Sequence, residues 1–132
     1  MKRHRIITAI LLAVILMCGL SACNDDFTTN AYRTLSASKE FRETTLCSLG
    51  DLYQKGLISE EVKAEAIRLG DLYMRAHQLA VDAVFLYAGS KGEENKEIAQ
   101  RALDASLKLY RDLAAFAAPY LSATLTTGEQ NG

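Results

Sequence analysis

The chain contains no stretch in which β-branched residues alternate with polar ones, the pattern that a half-buried strand requires. It also has a single proline, Pro119, among 132 residues. Apolar residues recur instead at spacings of three and four, which is typical of amphipathic helices. The sequence therefore predicts an all-α fold, an antiparallel three-helix bundle with short loops.

Side chains that carry enzymatic and metal chemistry are scarce. Histidine occurs twice, at His4 and His77, and no Ser-His-Asp set or phosphate-binding glycine loop is present. We expect no enzyme, no catalytic residue, no bound metal and no cofactor. Met74 and His77, three residues apart, could form a soft ligand pair for copper or for a non-covalent haem. The interpretation we favour is that Met74 fills a packing gap and His77 is a partly solvated helix residue.

The first 22 residues have the organisation of a secretory signal peptide. Lys2, Arg3 and Arg5 form a basic start, and the fifteen residues 6–20 are interrupted only by Thr8 and Gly19. A helix that spans a bilayer needs about 20 apolar residues. We therefore predict that residues 1–22 are cleaved; the alternatives are an ordinary secretory signal, cleaved without further modification of the chain, and an uncleaved anchor.

The segment Leu20-Ser21-Ala22-Cys23 closes this apolar run, and it resembles the lipobox of bacterial lipoproteins. In that family the signal is cut just before the matching cysteine, whose sulfur carries diacylglycerol and whose amino group is often acylated, for example with palmitate. The resemblance implies that Cys23 is lipidated and binds the lipid bilayer of the cell envelope. In Gram-negative lipoproteins an aspartate after this cysteine favours the inner membrane. Asn24 stands there, so the resemblance implies the periplasmic face of the outer membrane, with the inner membrane as the alternative.

Removal of residues 1–22 leaves about 110 residues, enough for one domain. This segment contains three of the 15 basic residues and none of the 16 acidic ones, so the remaining chain has a negative net charge. A nucleic-acid partner is not expected, because such proteins show a basic face. With Cys18 removed and Cys23 acylated, Cys47 is the single remaining thiol. We expect it to be a small buried hydrophobic residue; a disulfide between two chains is the alternative.

The segment after the lipobox is predicted to consist of a lipidated cysteine and tether (23–30), a three-helix domain (31–121) and a flexible tail (122–132). The helices are expected at about 31–55, 60–88 and 95–118. Gly56 suits the left-handed residue after the first helix, Ser59 is a good N-cap, and Pro119 is expected to end the third helix. The residues predicted to face inward are Tyr32, Leu35, Phe41, Thr45, Leu49 and Leu52; Val62, Ala66, Leu69, Tyr73, Ala76, Ala80, Ala83 and Tyr87; and Ile98, Ala102, Ala105, Leu109, Leu113 and Phe116.

Residues 79–88 contain one polar residue, Asp82. We expect this segment to be covered on more than one face, at the centre of the bundle or in an oligomer interface. The pentapeptide Leu-Gly-Asp-Leu-Tyr occurs at 49–53 and again at 69–73. We interpret this as a coincidence within similar helices; the alternatives are a relic repeat and a pair of glycines that allow helices to cross closely.

These features predict a membrane-anchored envelope lipoprotein of a non-enzymatic, protein-interaction or structural type. Its partner would be a second copy of the chain or another envelope protein. One alternative is a helical module that binds a metal, haem or lipid, which would need convergent polar groups inside the core. Another is an exclusion or immunity lipoprotein of phage or plasmid origin.

Overall fold

The computed structural model describes residues 24–127, with side chains for residues 27–123. This part of the chain forms three helices, α1 (Asn24–Gln54), α2 (Glu60–Ser90) and α3 (Glu93–Thr127), and contains no strand. Each helix packs against the other two, and the α2–α3 contact is the most extensive. The predicted three-helix bundle is therefore confirmed. Among the residues described, no helix is both long and apolar enough to cross a membrane.

The turn between α1 and α2 follows from local sequence chemistry. Gly56 has φ +69°, which glycine adopts without steric cost. The N–H of Leu57 donates to the carbonyl oxygen of Leu52 and that of Gly56 to Tyr53, both at 2.9 Å, the pattern of a Schellman motif. Ser59 then accepts a 3.3 Å hydrogen bond from the N–H of Val62. The predicted end of the first helix and the predicted N-cap of the second are both confirmed.

Two apolar clusters show how the helices run. At one end, Ala31 and Leu35 of α1 pack with Ala80, Ala83, Val84 and Tyr87 of α2 and Ala99 of α3. At the other end, Leu49 and Leu52 of α1 pack with Ala66 of α2 and Ala117 of α3. The helices therefore run up, down and up. We call these the Asn24 end and the Gly56 end of the bundle.

The helix α1 begins at Asn24, seven residues before the predicted start. The prediction that residues 24–30 form a tether is therefore wrong. The ring of Phe27 meets that of Tyr87 edge-on, with centroids 5.4 Å apart, and Phe27 packs against the apolar cluster at the Asn24 end. This tertiary contact supports a helical turn whose own sequence has no apolar period.

The helix α3 continues through Pro119 to Thr127, so the prediction that this proline ends the helix is wrong, as is a flexible tail up to Thr127. Residues 128–132 lie outside the part of the chain that is described. Proline removes one backbone hydrogen bond from a helix. Apolar packing on both sides of it offsets the loss, because Phe116, Ala117, Tyr120 and Leu121 all join the cluster at the Gly56 end.

The inward faces agree with prediction best for α2. The chain buries Ala66, Tyr73, Ala80, Ala83 and Tyr87, as predicted, and additionally Gly70, His77 and Val84. In α3 the chain buries Leu113, as predicted, and also Ala99, Ser106 and Ala117. Each of these three lies one position after a residue predicted to face inward. Ile98, Ala105 and Tyr32 were predicted to face inward but are exposed.

Candidate functional site

A layer of buried polar side chains separates the two apolar clusters. Ser38, Tyr73, His77 and Ser106 are all buried at mid-height of the bundle. The Ser38 hydroxyl donates to the carbonyl oxygen of Leu35 at 3.1 Å. Its oxygen lies 2.7 Å from the Tyr73 hydroxyl, so Tyr73 must be the donor in that bond. The Ser38–Tyr73 bond between two side chains therefore joins α1 to α2.

Burial raises the pKa of the Tyr73 phenol, and the hydrogen bond between Tyr73 and Ser38 and the charge of Arg42 act in the opposite direction. The Arg42 side chain also extends towards α2, where its Nη2 lies 3.8 Å from the Asp71 carboxylate. Its Nε atom is buried and has no hydrogen-bond partner within the described part of the chain. Because the pKa of Tyr73 is raised, its phenol stays neutral at neutral pH.

His77 lies beside Tyr73, with ring centroids 5.6 Å apart. Its Nε2 is 3.2 Å from the carbonyl oxygen of Leu35. Because a carbonyl can only accept, Nε2 carries the proton in this bond. Nδ1 is buried without a partner among the described residues, as is Ser106 Oγ. The expectation that His77 is partly solvated is wrong.

Met74 is half-buried on the same helix. Within residues 24–127, no group of three or more His, Cys, Asp or Glu side chains is placed to hold a metal ion. His77 is buried and Met74 is half-buried, and His77 belongs to no such group. The polar layer acts chemically as a set of internal hydrogen bonds that fixes the pairing of α1 with α2.

A shallow apolar groove of about 170 Å³ lies between α1 and α2 near the Gly56 end. This volume is below the ~300–1,000 Å³ of a pocket for a drug-sized ligand. The groove is lined by Leu46, Leu49, Gly50, Lys63, Ala66 and Ile67.

The Cys47 thiol lies on α1, next in sequence to Leu46, and is exposed. The prediction that it is buried is therefore wrong.

The two glycines of the repeated pentapeptide have different surroundings. A Cβ at Gly70 would lie 2.8 Å from Leu46 Cδ1 and 3.4 Å from Arg42 Nε, whereas a Cβ at Gly50 would meet nothing within 4 Å. Gly70 therefore allows α1 and α2 to approach closely, and Gly50 does not serve this purpose. The close-crossing interpretation holds for one glycine of the two.

The last turns of α2 expose large apolar side chains. Leu79, Phe85 and Leu86 have 67%, 70% and 62% of their surface exposed. The sequence predicts that this segment is covered on more than one face. Its inner side packs against both α1 and α3, whereas no described part of the chain covers its outward face. These three residues form the outward apolar surface of α2.

Ser38 and Ser106 belong to the polar layer but were not predicted. Each follows an apolar residue at a helical spacing, Ser38 three residues after Leu35 and Ser106 seven residues after Ala99. A serine within an apolar stripe is a signal for a buried hydroxyl. The predicted lipidation site, Cys23, lies outside the described residues.

Comparisons with known protein families, curated proteins and solved structures find no match to this chain.

Proposed function

We propose that this protein is a bacterial envelope lipoprotein, held at the periplasmic face of the outer membrane by acylated Cys23, and that its bundle is a non-enzymatic interaction module. The observation that carries the proposal is the lipobox-like Leu20-Ser21-Ala22-Cys23 after an apolar run. Two or three acyl chains together anchor a protein stably, whereas one chain does so marginally.

The non-enzymatic part of the proposal rests on how the buried polar groups are used. Ser38 and Tyr73 bond to each other, and Ser38 and His77 both bond to the backbone of Leu35. A catalytic nucleophile would instead be held by a base and face a cleft that admits substrate. The hydrogen bonds observed here stabilise the fold.

The groove between α1 and α2 is the surface we propose for a protein partner. It is apolar, and its lining residue Ile67 has 47% of its surface exposed. Binding energy at protein interfaces is concentrated where an apolar anchor side chain enters a small pocket. A groove of this size suits such an anchor from another envelope protein or from a second copy of the chain.

The anchor is tested by the mass of the protein extracted from membranes of a host that has signal peptidase II. We expect a chain that begins at Cys23 and carries acyl groups, and we expect the Cys23→Ala variant to lack that added mass. A chain that loses its signal without gaining lipid would refute the anchor.

The interaction surface is tested with a photocrosslinker attached to Cys47, the free thiol that remains once Cys23 is acylated. We expect crosslinks in the envelope that are lost in an Ile67→Lys variant. Ile98→Lys is the matched control, because Ile98 is 45% exposed, close to the 47% of Ile67, but lies on α3. A product of twice the chain mass would identify a second copy as the partner. Equal crosslinking in both variants would refute the groove as the binding surface.

A ligand-binding module is the second candidate, and the buried, unpartnered Nδ1 of His77 favours it. Met74 is half-buried three residues before His77, and these two side chains together would suit copper(I) or haem. Titration of the protein with haem, followed by its absorption spectrum, tests this candidate. A spectral change that disappears in His77→Phe would support it, and an unchanged spectrum would refute haem binding.

A further inference from the structure

The outward apolar surface of α2 is concentrated on one side of that helix. Successive residues of a helix are rotated by about 100°, so Leu79, Phe85 and Leu86 fall within an arc of roughly 120° that points away from the buried Tyr87 and Val84. Asp82, the one charged residue among residues 79–90, is exposed within this arc and accepts a hydrogen bond from Gln78. It lies about one turn farther from the Asn24 end than Phe85 and Leu86, so the apolar surface nearest that end is formed by these two residues. A surface with three large apolar side chains, each more than three-fifths exposed, is a candidate contact site.

This surface lies at the Asn24 end of the bundle. The contact between Phe27 and Tyr87 sets the two helices at the same height. With a rise of about 1.5 Å per residue, Leu86 lies about 6 Å and Phe85 roughly 7–8 Å below the level of Asn24. Leu79 lies farther down, at about 16–17 Å. The Cα atom of Cys23 is about 3.8 Å from that of Asn24, so Phe85 and Leu86 lie close to the proposed lipid attachment.

A bilayer is the occupant that these positions favour. The polar headgroup region is about 5–7 Å thick on each side of the hydrocarbon core, which matches the depth of Leu86 and approaches that of Phe85. A small lean of the bundle towards the outward side of α2 brings both into that region. Apolar faces of amphipathic helices bind at this boundary in the same way.

A second copy of the chain fits this surface less well. Stable interfaces bury about 800 Å² on each partner, and three side chains offer only a few hundred Å². A bilayer needs no such area, because an anchor at Cys23 already supplies most of the affinity and makes the second contact intramolecular. The turn that follows carries Lys91, Glu93 and Glu94 and has no excess of positive charge. Anionic lipid would therefore add no attraction, and the contact can be tested with zwitterionic lipid.

We infer that Phe85 and Leu86 insert into the headgroup region of the membrane that holds Cys23, and so fix the tilt of the bundle. This inference rests on the proposed acylation of Cys23. The chain has no tryptophan, so a single Phe85→Trp substitution gives an unambiguous fluorescent probe. Leu57→Trp is the matched control, since Leu57 is 64% exposed but lies at the Gly56 end.

The acylated variants are reconstituted into phosphatidylcholine vesicles whose acyl chains are brominated near the glycerol. We expect the emission maximum of Phe85→Trp to shift to shorter wavelength when vesicles are added. We expect its emission intensity to fall when brominated lipid replaces ordinary lipid. Leu57→Trp should show neither change. Leu86→Trp is a second probe that should behave like Phe85→Trp, and circular dichroism establishes that each variant is folded.

Three outcomes would overturn the inference in distinguishable ways. Acylated protein in which Phe85→Trp and Leu57→Trp are quenched equally little removes the membrane contact but leaves the anchor. A blue shift that depends on protein concentration and not on lipid assigns the surface to a second copy. A mass without acyl groups removes the anchor, and the inference falls with it.

Discussion

A pair of buried hydroxyls, Ser38 and Tyr73, connects α1 to α2 at the middle of the bundle. The bond is 2.7 Å long, and Tyr73 has no solvent-exposed surface. Tyr73→Phe removes the donor, while Ser38 keeps its bond to the Leu35 carbonyl oxygen. We expect this variant to lose about 0.5–1.5 kcal/mol of unfolding free energy, the net value of one hydrogen bond.

The Ser38→Ala variant should behave differently, because it leaves the Tyr73 hydroxyl buried without a partner. An unsatisfied buried group costs about 1–3 kcal/mol, reduced by the higher helix propensity of alanine. The Leu35 carbonyl oxygen still accepts from His77. The double variant replaces both partners by apolar groups, so its loss should be about 1 kcal/mol smaller than the sum of the two single losses.

Urea unfolding followed by helical circular dichroism measures these differences, on a chain that begins at Cys23 and carries Cys23→Ser. The slope of the transition should be the same for all four proteins. Losses that add within about 0.3–0.5 kcal/mol, the agreement seen for independent sites, would refute the argument that the two hydroxyls stabilise the bundle as a pair.

Three other predictions concern the helices and the buried phenols. Gly50→Ala should raise the unfolding free energy by about 1 kcal/mol, and Gly70→Ala should gain less because its Cβ would crowd Leu46; equal gains in urea unfolding would contradict this. Pro119→Ala should stabilise the protein by about 1–3 kcal/mol by restoring a helix hydrogen bond, and an unchanged melting temperature would contradict it. Burial raises the pKa of Tyr73 and of Tyr110 above 10.0, so the unfolded chain loses these protons first and stability should fall as the pH rises above about 10. Tyr110→Phe should make that fall shallower in urea titrations over this pH range.

The elements that could be predicted from sequence are those whose signals are local. Gly56 and Ser59 form the turn by their own backbone and side-chain chemistry, so neighbouring residues suffice to recognise them. The apolar repeat of α2 is equally local, and its end near Ser90 was predicted within two residues. These features need no knowledge of the partner helices.

The features that were missed depend on contacts between distant residues. Phe27 extends α1 because it meets Tyr87, sixty residues away in sequence. The helix α3 continues past Pro119 because Tyr120 and Leu121 pack against the apolar cluster at the Gly56 end. The polar layer was missed for a related reason. A serine within a helix pattern is usually predicted to be exposed. Ser38 is buried because the hydroxyl of Tyr73 lies opposite it and forms a hydrogen bond with it.

The early start of α1 has a mechanical consequence if Cys23 is the point of attachment. A seven-residue tether would have let the domain reach roughly 25 Å in any direction, whereas a helix transmits the orientation of its first turn along its whole length. From Asn24 to Leu49 the rise is about 37 Å, which sets the standoff height of the groove above the lipid. The bundle would then hold its groove at a fixed distance from the membrane. Partners that extend well into the aqueous space could reach the groove, whereas partners that stay close to the same membrane surface could not.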